Sequence, residues 1–385
     1  MIYRKLGRTN LDASVIGLGG EWLNGLNADE VNNIINIAID NGVNILDVFM
    51  PQAQVRTNIG LALKGRREKM IIQGHLCTVF EDEQYTRTRD INKTKASFED
   101  LLSRLQTDYI DIGMIHYVDS NEDFDSVFNT EIIEYAKELK ASGRVKFLGM
   151  SSHNPEVALR AINTGLIDVL MFSINAAYDL EKSNTDIFAL MDFKGLNEGG
   201  WTVDSERVKL YSTCENLGIG ITVMKALAAG SLLKDETSPF GKAMTVEQCC
   251  HYCLTRPGVV SVLVGCHTIG EMENAVSYLN ATDGEKDYSE IISKSPKFKM
   301  AGRCMYCNHC QPCPAKIDIA AVTKYLHLAE MQSVVPKTVK EHYNALKQNA
   351  KDCIQCGLCE PNCPFGVEIR KNMKKAQEVF KDRKF

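Results

Sequence analysis

At 385 residues the chain is long enough for one large core plus a small second unit, and 44% hydrophobic with 24% charged residues is an ordinary globular balance. No apolar run approaches the length of a membrane span, and the opening Met1-Ile2-Tyr3-Arg4-Lys5-Leu6-Gly7 turns polar too soon for a signal peptide. Fourteen cysteines in such a chain predict a reducing, cytoplasmic setting.

From residue 1 to about 285, short apolar runs alternate with stretches of helical period. Tyr3 to Ala13, turning at Gly7-Arg8-Thr9-Asn10, predicts a leading hairpin. Eight apolar runs follow, at 14–18, 44–47, 69–73, 109–115, 145–150, 167–172, 219–224 and 259–264. Helical signals lie between them, among them Ala28 to Asp40, Asn92 to Leu105, Glu131 to Lys140 and Thr245 to Thr255. Eight strand–helix pairs predict an α/β fold, a (β/α)8 barrel over residues 1–285. One connection is too long. Tyr178 to about Asp204, with Gly195, Gly199, Gly200 and Trp201, reads as an insertion at the catalytic face and a candidate lid. Cys249-Cys250-His251-Tyr252-Cys253 has metal-ligand residue types, but on an amphipathic barrel helix cysteine is ordinarily a small core residue.

Barrel enzymes carry their catalytic groups at the carboxyl ends of the strands. Those positions here are Asp47, His75, His116, Ser151 with Ser152, Asn175, Lys225 and Gly265-Cys266-His267-Thr268. An Asp beside two imidazoles sets up proton donors and acceptors that work near neutral pH, so Asp47, His75 and His116 are the candidate catalytic residues. The same three also match a two-histidine, one-carboxylate iron site. Ser151, Asn175 and Lys225 are candidates for holding a cofactor. The stretch Gly265 to Thr268, ahead of a helix starting near Glu271, suits a phosphate because it offers backbone N–H groups at a helix start. It contains no Arg or Lys; Lys225 would serve a pyrophosphate. A phosphate site on the seventh and eighth loops suits FMN as well as NAD(P).

After a linker at Ser293 to Pro296, residues 296–385 read as a second, small helical unit of bacterial-ferredoxin type. It carries Cys304-x2-Cys307-x2-Cys310-x2-Cys313-Pro314 and Cys353-x2-Cys356-x2-Cys359-x3-Cys363-Pro364. Three thiolates at this interval curl round one iron–sulfur cubane, and the fourth points to the other. The expected ligand sets are therefore Cys304, Cys307, Cys310 and Cys363 for one [4Fe–4S] cluster, and Cys353, Cys356, Cys359 and Cys313 for the second. Four thiolates also suit zinc, but zinc sites usually use separated pairs, not triplets ending in Cys-Pro. From Pro296 onward the chain has 16 Lys and Arg against 8 Asp and Glu. That excess, with Arg370-Lys371-Asn372-Met373-Lys374-Lys375, raises nucleic acid as a partner. It is better read as offsetting anionic clusters and as a landing patch for an acidic redox partner such as a ferredoxin or flavodoxin.

Asn44-Ile45-Leu46-Asp47, Asp108-Tyr109-Ile110-Asp111 leading to His116, Gly149-Met150-Ser151-Ser152-His153, and Val264-Gly265 through Glu271 to Asn274 resemble the aldo/keto reductases. With the cysteine runs, the whole is similar to aldo/keto reductase-like proteins with a C-terminal ferredoxin domain. The resemblance implies hydride from NADPH and a tetrad of Asp, Tyr, Lys and His. Asp47 and His116 fill two of those slots. The tyrosine slot holds Gln52 and the lysine slot His75, so the phenol-acid mechanism is absent as it stands; His75 could replace both groups, and Tyr85 or Tyr117 could bring a hydroxyl. The resemblance also places the adenosine phosphate against Cys266, His267, Thr268, Glu271 and Asn274, and puts Met224 and Met171 where the family has an aromatic and a glutamine.

Together these readings describe an iron–sulfur oxidoreductase passing electrons between two clusters and a small organic substrate at the barrel mouth. Two alternatives remain at this stage. One is an inactive barrel serving as electron carrier or scaffold; the other is a histidine- or metal-dependent lyase with structural clusters.

Overall fold

The computed structural model describes residues 1–381 apart from 184, 186, 194–195, 197–202 and 296–301. Eight parallel strands close into a barrel in sequence order: β1 Ile16–Gly19, β2 Ile45–Val48, β3 Ile71–Leu76, β4 Ile110–Ile115, β5 Val145–Ser152, β6 Val169–Ser173, β7 Gly220–Met224 and β8 Val259–Gly265. Each predicted apolar run becomes one strand, shifted by a few residues at most. Continuous apolar runs suit this position because parallel barrel strands are covered on both faces. Closure is tight where β8 meets β1, with Leu263 opposite Gly17. A Cβ at Gly17 would stand 2.6 Å from Leu263 Cδ2 and 2.7 Å from Ile45 Cγ2, so only glycine fits.

The leading hairpin, Tyr3–Lys5 with Asp12–Ser14, forms the floor. Its Leu6 and Ala13 join Ile45, Ile112, Val169 and Leu263 in the inner core. Outside the barrel, helix α1 (Ala28–Asp40) starts in a capping box of Asn27 and Glu30 and buries Val31, Ile34, Ile35 and Ala38, which share one face. Burial of each of its three β-branched side chains stabilises by roughly 1.5–3 kcal/mol. Helix α2 (Ser205–Leu217) leads into β7, and helix α3 (Val246–Leu254) into β8. Cys249, Cys250 and Cys253 of α3 are buried, and desolvation pushes the Cys250 thiol up to about 12. They are protonated core residues.

Two features were not anticipated. A second antiparallel hairpin, Thr78–Glu81 with Gln84–Arg87, rises from the mouth after β3. Its two-residue turn puts Asp82 and Glu83 at φ of 51° and 59°, a left-handed pair that ordinarily calls for Asn or Gly. The barrel unit also continues past Asp283-Gly284 into a short helix, Ser289–Ser293, that buries Ile292. Of the long sixth connection, Gly195, Gly199, Gly200 and Trp201 lie outside the described residues; its ends are tied by the Asp204 N–H donating to the Asp179 carbonyl at 2.8 Å.

After helix α4 (Ile269–Ser277), the last third of the chain contributes α5 (Ile319–Glu330), α6 (Lys337–Asn344) and α7 (Ile369–Val379). These pack on one another and, through α6, on α2. The seam includes Arg256 and the Tyr288 hydroxyl, both donating to the Met305 carbonyl at 2.5 and 2.7 Å, and His342 at 2.5 Å from Glu215. The basic face of α7 is partly neutralised, since Arg370 pairs with Glu360, Lys371 with Glu368 and Lys375 with Glu330. No helix among the described residues is long and apolar enough to cross a membrane.

Candidate active site

The carboxyl ends of β2, β3 and β4 bring Asp47, His75 and His116 into one hydrogen-bonded chain. His75 Nε2 lies 2.9 Å from Asp47 Oδ1, and His75 Nδ1 lies 2.9 Å from His116 Nδ1. All three are buried. Asp47 Oδ1 also accepts from Gln73 Nε2 at 2.7 Å, while Gln73 Oε1 accepts from the Thr222 hydroxyl at 3.0 Å. Those bonds fix the carboxylate's orientation. Gln73 carried no signal of its own as one polar residue in an apolar strand.

The bonding pattern fixes the tautomers. Asp47 can only accept, so His75 Nε2 carries hydrogen. In neutral His75 the Nδ1 is then an acceptor and takes the Nδ1–H of His116, which leaves His116 Nε2 as a bare lone pair. That Nε2 is buried with no hydrogen-bond partner among the described residues. Burial first, then the neighbouring His75 and the cations Arg89 and Arg87, hold the His116 imidazole well below its ordinary range. With one proton more, His75 donates from both nitrogens and His116 Nε2 becomes a donor. A single proton thus reverses the polarity of the outermost atom.

Aromatic rings pack round that atom. Phe49 stacks on the His116 ring, with centroids 5.6 Å apart and planes at 5°. Tyr85, from the unanticipated hairpin, stands edge-on to Phe49 at 5.5 Å and to His116 at 5.7 Å. Desolvation pushes its hydroxyl above the ordinary phenol range. Tyr117 lies between His116 and His153, with centroids 6.0 and 5.3 Å away. Gln52 only heads the next helix, and its side chain makes no cap hydrogen bond.

A second Asp–His pair went unnoticed in the sequence. His153 Nδ1 lies 2.8 Å from Asp119 Oδ2, and Asp119 Oδ1 accepts from the His153 backbone N–H at 2.7 Å and the Ser152 hydroxyl at 2.9 Å. Burial opposes ionisation of Asp119, yet His153 and Ser152 hold its carboxyl below the usual range. The only signal was that Asp119 follows His116 by three residues, and nothing in that spacing says the loop folds back to β5.

The candidate cofactor residues are differently disposed. The Ser151 hydroxyl accepts the Tyr117 N–H at 2.8 Å. Asn175 Oδ1 accepts from the N–H groups of Ala177 and Tyr178, and its Nδ2 donates to the Lys225 carbonyl. Both are buried braces of the mouth loops. Lys225 is half-buried, with a left-handed φ of 62°. Met171 Sδ meets Gln73 Nε2 at 3.3 Å, and Met224 is half-buried. At β8, the Gly265 backbone lies under Trp22; the Cys266 thiol is buried and pushed up to about 12 by desolvation. The His267 N–H donates to Glu271 Oε2 at 2.5 Å, and the Glu271 N–H donates to the Thr268 hydroxyl at 3.2 Å. Asn274 is exposed. Two of the N–H groups that a phosphate would use here, those of His267 and Glu271, are thus engaged by side chains of the same segment.

Cys313, Cys353, Cys356 and Cys359 line a single hollow together with Ile354, Gly357 and Met373. Cys310 is pushed up by burial and then by Cys304, Cys307 and Cys363, its near neighbours. Cys359, a member of the other expected set, follows them, so these neighbours do not separate the eight thiols into two sets. Among the described residues no three His, Cys, Asp or Glu are grouped so as to hold a metal ion.

The sequence pattern of the aldo/keto reductase family matches residues 15–249. The chain belongs to the aldo/keto reductase family. A relative is the uncharacterized oxidoreductase YqkF of Bacillus subtilis, 26% identical over 298 residues that span 72% of this chain and 91% of that protein. Another is L-galactose dehydrogenase of Arabidopsis thaliana, 22% identical and spanning 76% and 92% of the two chains. Among solved structures, the holo form of aldo-keto reductase AKR11C1 from Bacillus halodurans shares the fold with a TM-score of 0.59 at 23% identity, covering 74% of this chain and 94% of that one. This aldo/keto reductase is accordingly an oxidoreductase acting on a small molecule.

Proposed function

We propose that this aldo/keto reductase is an iron–sulfur oxidoreductase with two units: the barrel over residues 1–285, and a ferredoxin-type unit over 296–385. In it the Asp47–His75–His116 chain exchanges protons with a small organic substrate at the mouth. The observation that carries the reading is His116 Nε2, a buried polar atom at the end of a three-member hydrogen-bonded chain and without a partner of its own. Leaving such an atom unpaired costs about 1–3 kcal/mol, and a proton exchanged with a substrate there would account for that cost.

The thiol sets Cys304, Cys307, Cys310, Cys363 and Cys353, Cys356, Cys359, Cys313 would hold two [4Fe–4S] clusters. Bound clusters supply single electrons. Everything else falls to the chain's own side chains. Asp47 fixes the His75 tautomer, His75 passes a proton to or from His116 Nδ1, and His116 Nε2 takes up or releases one at the substrate. Phe49 and Tyr85 keep bulk water from that atom. The basic excess of the last 90 residues supports an acidic electron carrier as the external partner.

The test uses protein purified without air. Iron and sulfide analysis with a visible absorption spectrum asks whether the thiol sets are loaded. Reoxidation of the dithionite-reduced protein by a panel of aldehydes and ketones then asks about the mouth. Reoxidation that is fast in the wild type and lost in His116→Ala at unchanged iron content is the expected result. Equal rates in both would make the barrel a passive carrier, a reading favoured by Gln52 in the tyrosine slot. An iron-free protein would remove the electron-carrying half.

A further inference from the structure

The β8 end of the mouth has the backbone shape of a phosphate cradle, yet its glycine and two of its N–H groups are engaged. A Cβ on Gly265 would fall 1.9 Å from Trp22 Cδ1 and 2.6 Å from its Nε1, so the indole lies directly against that backbone. The other side of Trp22 meets the His267 ring, with centroids 4.5 Å apart and planes at 56°. Two N–H groups around the helix start are taken as well. Glu271 reaches back to the His267 N–H, and the Thr268 hydroxyl accepts the Glu271 N–H. Glu271 is the carboxylate a phosphate would have to displace, and Glu273 follows it on the same first turns of α4. No Lys or Arg lies between Val259 and Asn274 to offset that repulsion.

We propose that Trp22 and Glu271 close this cradle against nucleotide phosphates, so that the mouth works without a bound NAD(P) or FMN at β8. The indole occupies the surface along which a pyrophosphate would approach the glycine backbone. The Glu271 carboxylate supplies in place the negative charge that the helix start attracts. Trp22 and Glu271 are therefore specificity-determining residues, acting by exclusion. This goes beyond the iron–sulfur reading and does not depend on it.

Equilibrium dialysis of the full chain, prepared without air, against NADPH and separately against FMN tests the proposal. The wild type is expected to bind each more weakly than about 1 mM. The variant Trp22→Ala/Glu271→Ala, checked for native circular dichroism, is expected to bind at least one of them tenfold or more tighter. Because Trp22 is 41% exposed and Glu271 is exposed, neither change opens the core. Saturable micromolar binding by the wild type overturns the proposal outright. Failure of both proteins to bind overturns the assignment of the block to these two side chains. Gain with NADPH alone marks the site as dinucleotide-shaped, gain with FMN alone as flavin-shaped, and either supports the exclusion. Iron content is measured on the same samples, so a missing cluster and an open cradle are told apart.

Discussion

The two halves of the barrel mouth are built from the same parts and come out opposite. On the β2–β4 side, three buried polar residues line up and the last atom, His116 Nε2, is left bare. On the β8 side, the His267 and Glu271 N–H groups already have acceptors, and an indole lies against the Gly265 backbone. Protein interiors satisfy buried polar groups almost without exception, so an exception at the end of a hydrogen-bonded chain is informative. The unsatisfied half is where chemistry is to be sought, and on the proposal above the β8 corner is closed to nucleotides.

The largest effect expected from this contrast is on turnover. His116→Ala removes the bare atom, and a positioned acid or base is worth about 10²- to 10⁴-fold in rate. Reoxidation of reduced protein by its best carbonyl acceptor should slow by that factor, while the protein stays folded at the assay temperature. A loss of rate matched by unfolding would mean that His116 is a brace and not the working end. The counterpart is Asp179, whose two carboxylate oxygens are both satisfied. This buried carboxylate accepts from the Tyr211 and Tyr252 hydroxyls at 2.5 and 2.9 Å and faces Arg207 at 3.6 Å. Asp179→Ala strands a buried guanidinium and should cost about 3–5 kcal/mol in urea unfolding. If it costs less than 1 kcal/mol, satisfaction of polar groups is a poor guide in this molecule.

The barrel was legible because its physics is periodic. Eight apolar runs at regular intervals have few other ways to be covered, and the strand ends then name Asp47, His75 and His116 without further help. What escaped notice depends on long-range return of loops. Asp119 reaches His153 across 34 positions, and Gln73 reaches Thr222 across 149. The hairpin carrying Tyr85 turns on Asp82-Glu83, residues with no hairpin signature. The β8 corner shows the same limit. Gly265 to Thr268 has the composition of a phosphate loop, but what lies against its glycine is Trp22, which arrives from β1 and is invisible to any local reading.

Gly265→Ala separates shape from charge in that corner. The added methyl cannot coexist with the indole, so Trp22 must swing out, at a cost of about 1–3 kcal/mol for overpacking. A red shift of tryptophan emission with modest destabilisation is the expected signature. Unshifted emission would mean that the indole does not rest on Gly265 in solution. Since Glu271 stays in place, nucleotide binding should remain weak even with Trp22 displaced.

The smallest effect concerns buried imidazoles away from the mouth. Burial first, then Lys286, Arg256 and Arg4, lower the His251 imidazole to about 4. The unfolded chain binds a proton there near 6.5 that the folded chain refuses until about pH 4. In that window the unfolded state holds more protons, so stability rises with pH and is lost on acidification from 6.5 toward 4. His342 works in the opposite sense. Its hydrogen bond to Glu215 raises it, so its contribution is present below its unfolded value and lost as pH climbs through the folded one. Urea midpoints at pH 7.5 and 5.0 should therefore differ by an amount that His251→Phe shrinks, on the order of 1 kcal/mol, and that His342→Phe enlarges. His116 titrates in the same direction as His251, being held low chiefly by burial. If His116→Phe leaves the pH dependence unchanged, the ring already carries a proton at pH 5, and its Nε2 would be a standing donor and not the switchable atom described above.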